Sequence, residues 1–101
     1  DVTSSVQVPV SAAASIYQIH IDNTANASTV AYLKLVDATS GVSAGATTDD
    51  HRFPCPAAST VTYVIETGLV MAAGISYWCV TDPAIGNTGS PTNDVSIKIL
   101  V

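Results

Sequence analysis

Few side chains in this sequence stand at spacings that do chemistry. His51 and Cys55 are the nearest imidazole and thiol. A nucleophilic cysteine needs an accessible thiolate next to an imidazole and an oriented third group. Cys55 is instead locked between Pro54 and Pro56 in what reads as a strand, so ordinary packing is the expectation. A G-x-S-x-G elbow is absent. Asp49, Asp50 and His51 are consecutive ligand-type residues, but neighbours in an extended chain point to opposite faces. One pair could chelate with help from Asp37 or Asp82; a solvated loop is the better reading. The D-x-D-x-D-G spacing of a calcium loop is missing.

Other chemistries find as little. Glu66 is the only glutamate, and it closes a strand, so paired carboxylates for glycoside hydrolysis are unsupported. Tyr17, Tyr32, Tyr63, Tyr77 and Trp78 could form a sugar-stacking platform, yet aromatics at strand spacing are more often core. The glycines are single and scattered, unlike a phosphate loop. Asn26-Ala27-Ser28 matches a glycosylation sequon and reads more simply as turn chemistry. A disulfide between Cys55 and Cys79 would be worth about 3–4 kcal/mol in the chain-entropy model. The alternative is two separate buried thiols acting as small hydrophobes. A lone pair is weak evidence for an oxidising compartment, which favours the thiols. The expectation is a protein that is not an enzyme and has no cofactor or metal.

The bulk composition narrows the partners. The chain has 101 residues, enough for one domain with one real core. Hydrophobic residues make up 48%, mostly small or β-branched ones, which suit a thin sandwich more than a thick helical core. Only 11% are charged, against about 25% in an average soluble domain. A surface of Ser, Thr, Asn, Gln and Ala has few floppy side chains to immobilise on docking. It suits a protein packed against others, and equally a merely neutral surface. The net charge is −5, with Lys34, Arg52 and Lys98 the only basic residues. Three scattered cations cannot displace the counterions of nucleic acid, and they disfavour an anionic membrane surface. No apolar run approaches a bilayer span. The start lacks the basic and apolar regions of a signal peptide, so the protein is either not exported or in its mature form.

The elements read as strands throughout. Residues 16–36, IYQIHIDNTANASTVAYLKLV, hold two alternating runs around an Asn-rich break. Tyr17, Ile19 and Ile21 share one face; Ala31, Leu33 and Leu35 share another, with Tyr32 and Lys34 opposite. This predicts a β-hairpin, or at least two antiparallel neighbours. Residues 1–14 read as an extended N-terminal arm. There Val6, Val8 and Val10 alternate around Pro9, which allows at best an edge strand. Residues 15–101 form the expected sandwich domain. Residues 38–50 and 82–93 are long loops. A short strand is expected at 51–56, and strong ones at 60–66 and 75–81, with Glu66-Thr67-Gly68 as a turn signal. Ile75, Tyr77 and Cys79 oppose Ser76, Trp78 and Val80, so this strand is central or presents Trp78 at an interface. Residues 94–101 alternate Val95, Ile97, Ile99 and Val101 against Ser96 and Lys98. The fold class is all-β: a single antiparallel β-sandwich or small barrel, Ig-like or jelly-roll-like.

Over residues 15–101, the run IDNTANASTVAYLKLVDA, the Gly-containing loop, TVTYVI, GISYW and the GNTGSPTNDVSIKILV ending carry a family likeness. The chain resembles small β-sandwich virion proteins of tailed bacteriophages, most of all head decoration, or cement, proteins. The resemblance implies a location on the capsid exterior. It also implies a trimer or dimer that binds the major capsid protein and bridges neighbouring subunits by multivalent docking. Contacts are then expected from Val6, Val8 and Val10 of the arm, from Trp78, and from the two long loops. Two other classes stay open. One is a phage tail, baseplate or fibre domain. The other is a secreted carbohydrate- or surface-binding module, which predicts an exposed aromatic row and a Cys55–Cys79 bridge.

Overall fold

A computed structural model describes residues 6–101. These residues contain strands, turns and loops and no helix. The strands are β1 (Gln7–Val10), β2 (Ala14–Asp22), β3 (Ala31–Val36), β4 (His51–Cys55), β5 (Thr60–Met71), β6 (Ile75–Val80) and β7 (Ser96–Leu100). They form a four-stranded sheet in the order β1-β6-β3-β4 and a three-stranded sheet in the order β5-β2-β7. All pairings are antiparallel. The expected β-sandwich is the fold.

Among the described strands, only β3 and β4 are consecutive neighbours in one sheet. The expected hairpin of residues 16–36 is therefore not formed. β2 and β3 lie in opposite sheets and face each other through the core. Alternation told which side of each strand is apolar; it carried no information on which strand pairs with which.

The core explains the alternation. Ile16, Ile19 and Ile21 from β2 meet Ala31, Leu33 and Leu35 from β3, with Cys55, Met71, Ile75, Cys79 and Val95 around them, all essentially inaccessible. Each fully buried Ile or Leu contributes about 1.5–3 kcal/mol. Tyr17 leaves this face. Between the pairs Ile16–Leu69 and Gln18–Val64, β2 advances two residues while β5 advances five. Residues 65–68 form a large bulge there, so Glu66-Thr67-Gly68 does not turn the chain back; β5 continues beyond it to Met71. Gly68 has φ +79°, and a Cβ on it would come within 3.0 Å of the Tyr17 ring. The bulge thus turns Ile16 inward and Tyr17 outward.

Most of the expected arm is part of the sandwich. Pro9 sits on β1, the edge strand that a proline permits. The register slips between Gln7 and Val10. Val10 consequently packs on the main core, and Val6 packs on a second cluster formed by Val36, Trp78 and Val80 on the outer side of the same sheet. The remainder of the expected arm, residues 1–5, lies outside the described residues.

Polar clamps close both ends. At one end the buried Asn23 amide donates to the carbonyls of Thr29 (2.8 Å) and Pro56 (3.1 Å). Its Oδ1 accepts from Asn26 Nδ2 at 2.9 Å. Asn26 in turn donates to the Asn93 carbonyl and accepts from the Asn93 N–H, both at 2.9 Å. Three connections, β2–β3, β4–β5 and β6–β7, are joined in this way. At the other end Asp37 accepts from the N–H groups of Ala72, Ala73 and Gly74 at 2.8, 2.7 and 3.3 Å. Gly74 is required there: a Cβ would lie 2.7 Å from the Val10 carbonyl oxygen and 2.5 Å from Thr39 Cγ2.

Candidate binding faces

Several of the chemistry-bearing residues are held in structural contacts. Cys55 and Cys79 are free and buried. Burial pushes both thiols up, Cys79 to about 12, so neither is a thiolate near neutrality. Cys55 Sγ donates to the Ser59 carbonyl at 3.4 Å. His51 lies four residues away along β4, about 13 Å in extended chain, and does not meet the thiol. The expectation of two separate buried thiols fits this arrangement.

Asp49, Asp50 and His51 do not converge either. Asp50 Oδ2 accepts from the Asp37 N–H at 2.8 Å. Asp49 Oδ2 lies 3.2 Å from Arg52 Nε, and its Oδ1 lies 3.9 Å from Lys34 Nζ. The side chain of Asp49 is only 4% exposed, so the solvated-loop reading of these residues fails for Asp49. No cluster of three or more metal-ligating side chains occurs among the described residues.

The two sheet faces that look away from the core differ sharply. On the four-stranded sheet, Lys34 pairs with Trp78 across β3 and β6. Both are buried, Trp78 completely. The two long loops cover them. Ala38, Val42 and Ala44 from the first loop pack on the Val36–Trp78–Val80 cluster. From the second loop, the Ala84 carbonyl accepts from Lys34 Nζ at 2.9 Å. The loops touch where Gly45 approaches Thr88 and Gly86. Trp78 on a central strand is thus roofed by its own chain, and the expectation that it presents to an interface is overturned. Of the four expected contact residues, Val8 alone stands exposed; Val6 and Val10 are half-buried in the sandwich. The two loops, also expected as contact elements, are engaged on their own sheet through these residues, although Ile85 at the crest of the second is exposed.

Among the described residues, no loop roofs the three-stranded sheet in this way. Its outer face is laid out by register: Val64, Gln18 and Leu100 form one row, Thr62, His20 and Lys98 the next, and Thr60, Asp22 and Ser96 the third. His20 Nδ1 and the Thr62 hydroxyl are hydrogen-bonded at 2.8 Å. The Thr24 hydroxyl and N–H hold the Asp22 carboxyl below its ordinary value. Val64, Val70 and Leu100 are 67%, 69% and 58% exposed, and the exposed Tyr17 ring lies against Gly68, where Ser15, the partner of Val70, also approaches. Apolar side chains from all three strands are therefore displayed on one bare face.

The sandwich is also asymmetric along its sides. Between β4 and β5 it is shut: the Phe53 and Tyr63 rings pack at 5.0 Å, and the Tyr63 hydroxyl donates to the Pro54 carbonyl. Between β1 and β7 the described residues leave it open. A groove of about 260 Å³ runs there, lined by Pro9, Val10, Tyr77, Ile97, Ile99 and Val101.

Sequence reasoning missed the buried roles of Lys34 and of Asn23, Asn26 and Asn93. The asparagines were visible only as turn residues, and Lys34 only as a polar position opposite a core face. No described helix is long and apolar enough to cross a membrane. Comparison with protein-family models, curated proteins and solved structures finds no match to this chain.

Proposed function

We propose that this chain is a structural protein of a phage virion that binds the outer surface of the capsid and bridges major capsid subunits. The observation that carries this reading is the contrast between the two outer sheet faces. One is sealed by the chain's own loops; the other displays Tyr17, Val64, Val70 and Leu100. Scattered exposed hydrophobes are ordinary, but a group gathered on one unroofed sheet fits a protein-docking face. The low charge of the chain and its resemblance to head decoration proteins support the same reading. A carbohydrate-binding module would instead need an exposed aromatic row, yet Trp78 is buried. It would also predict a bridge between two cysteines that are free.

The test is co-sedimentation with undecorated capsid shells of the phage that encodes the chain. Wild type should pellet at a fixed ratio to capsid subunits. Val64→Glu and Val70→Glu, both on exposed positions, should stay in the supernatant while keeping the wild-type unfolding midpoint. Wild type that does not pellet with shells would sink the proposal.

A further inference from the structure

We propose that the free edge of β7 is a self-association edge, along which β7 of a second copy adds antiparallel to complete a six-stranded sheet. A sandwich of two open sheets has four edge strands, among the described residues β1, β4, β5 and β7. Unpaired edges invite strand addition, and native chains block them. Three of the four carry an interruption. β1 carries Pro9, β4 carries Pro54, and β5 carries the bulge at residues 65–68. β7, SIKIL, has no proline, and its register with β2 runs unbroken from Ser96 to Leu100. It also borders the side of the sandwich left open, where Ile97, Ile99 and Val101 line the groove.

The side chains choose both the occupant and the register. Paired residues in a continuous sheet share a face, so the two-fold axis must lie midway between one residue of β7 and the same residue of the second copy. An axis at Lys98 would set two lysines opposite each other, which disfavours it. An axis at Ile99 places Lys98 beside the partner's Leu100 and Ile97 beside the partner's Val101. This register lays the aliphatic stem of each lysine over an exposed leucine. It covers Leu100 and Val101, which are 58% and 55% exposed. It also joins the β7 walls of the two grooves into one apolar seam. A second copy satisfies both edges at once, as a two-fold interface does. The pairing stands whether or not the chain decorates a capsid.

Two substitutions at one exposed position test the register. Leu100→Lys sets two symmetry-related lysine pairs across the axis, whereas Leu100→Glu sets two opposite-charge pairs there. Sedimentation equilibrium over a concentration series should show a wild-type dimer. Leu100→Lys should weaken it by about tenfold or more, given two like-charge cross-strand pairs, and Leu100→Glu should retain it. At concentrations low enough for wild type to be monomeric, the unfolding midpoints of both variants should match wild type, since Leu100 touches solvent in the single copy. A wild type that stays monomeric at its highest soluble concentration overturns the proposal. So does a closed trimer, or a dimer on which the two substitutions act alike.

Discussion

The ammonium of Lys34 donates to the carbonyl of Ala84 at 2.9 Å from the middle of a sheet, fifty residues away along the chain. The same ammonium lies 3.9 Å from Asp49. Ala84 and Asp49 belong to different loops, so one side chain pins both loops to the sheet beneath them. Trp78 is the neighbour of Lys34 across the strands and lies under the same cover.

Removing that pin should open the roof. Lys34→Ala leaves the nearly inaccessible Asp49 carboxylate without its buried cation and frees the Ala84 carbonyl. Breaking a buried pair by deleting one partner costs about 3–5 kcal/mol. The expected loss in urea unfolding is at the lower end, about 3 kcal/mol, because Arg52 still reaches Asp49. The chain has a single tryptophan, so its emission reports on the cover directly. A red shift in folded Lys34→Ala is expected, and an unshifted emission with unchanged stability would contradict the pinning role.

Asn26 should be as costly at the opposite end. Its side chain accepts from and donates to the backbone of Asn93 and donates to the buried Asn23. Asn26→Ala strands the Asn23 Oδ1 in a buried site and takes the partner from the part-buried Asn93 N–H. Each unsatisfied buried group costs about 1–3 kcal/mol. A destabilisation of about 2–4 kcal/mol is expected on that scale, with faster amide hydrogen exchange in the β6–β7 connection. An effect confined to the local β2–β3 turn would show that the link to Asn93 carries no energy.

These two residues mark where the sequence could be read and where it could not. The core faces of β3, β6 and β7 were legible because burial imposes a period of two on Leu33 and Leu35, on Ile75 and Cys79, and on Ile97 and Ile99. The pairing of β2 with β5 and β7 was not, since strand partners are chosen by topology across dozens of residues. Asn26 looked like a turn residue because its partner is 67 residues away. Lys34 looked exposed because nothing in its own strand announces that two irregular loops will fold across it. Glu66-Thr67-Gly68 has the composition of a turn, and the chain uses it as a bulge to aim Tyr17 outward.

Asp37 gives the sandwich an acid limb. The N–H of Ala73, then that of Ala72, holds its carboxyl below the ordinary 3.8, with Gly74 adding to the effect against partial desolvation. Those donors favour the charged form, so the native state binds this proton less readily than the unfolded chain does. The stability it adds is fully present above pH 3.8 and is lost as pH falls through the lowered native value. Asp37→Asn cannot carry the charge, and its amide would set N–H groups against the three N–H donors of the β5–β6 turn. At neutral pH the variant should unfold at a lower urea midpoint than wild type. That gap should narrow as the pH drops below the ordinary carboxylate range, because wild type then loses the charge as well. Midpoints measured from neutral to strongly acid pH decide the matter. A gap that stays constant would mean that Asp37 holds the β5–β6 turn by shape alone, and that its charge contributes nothing.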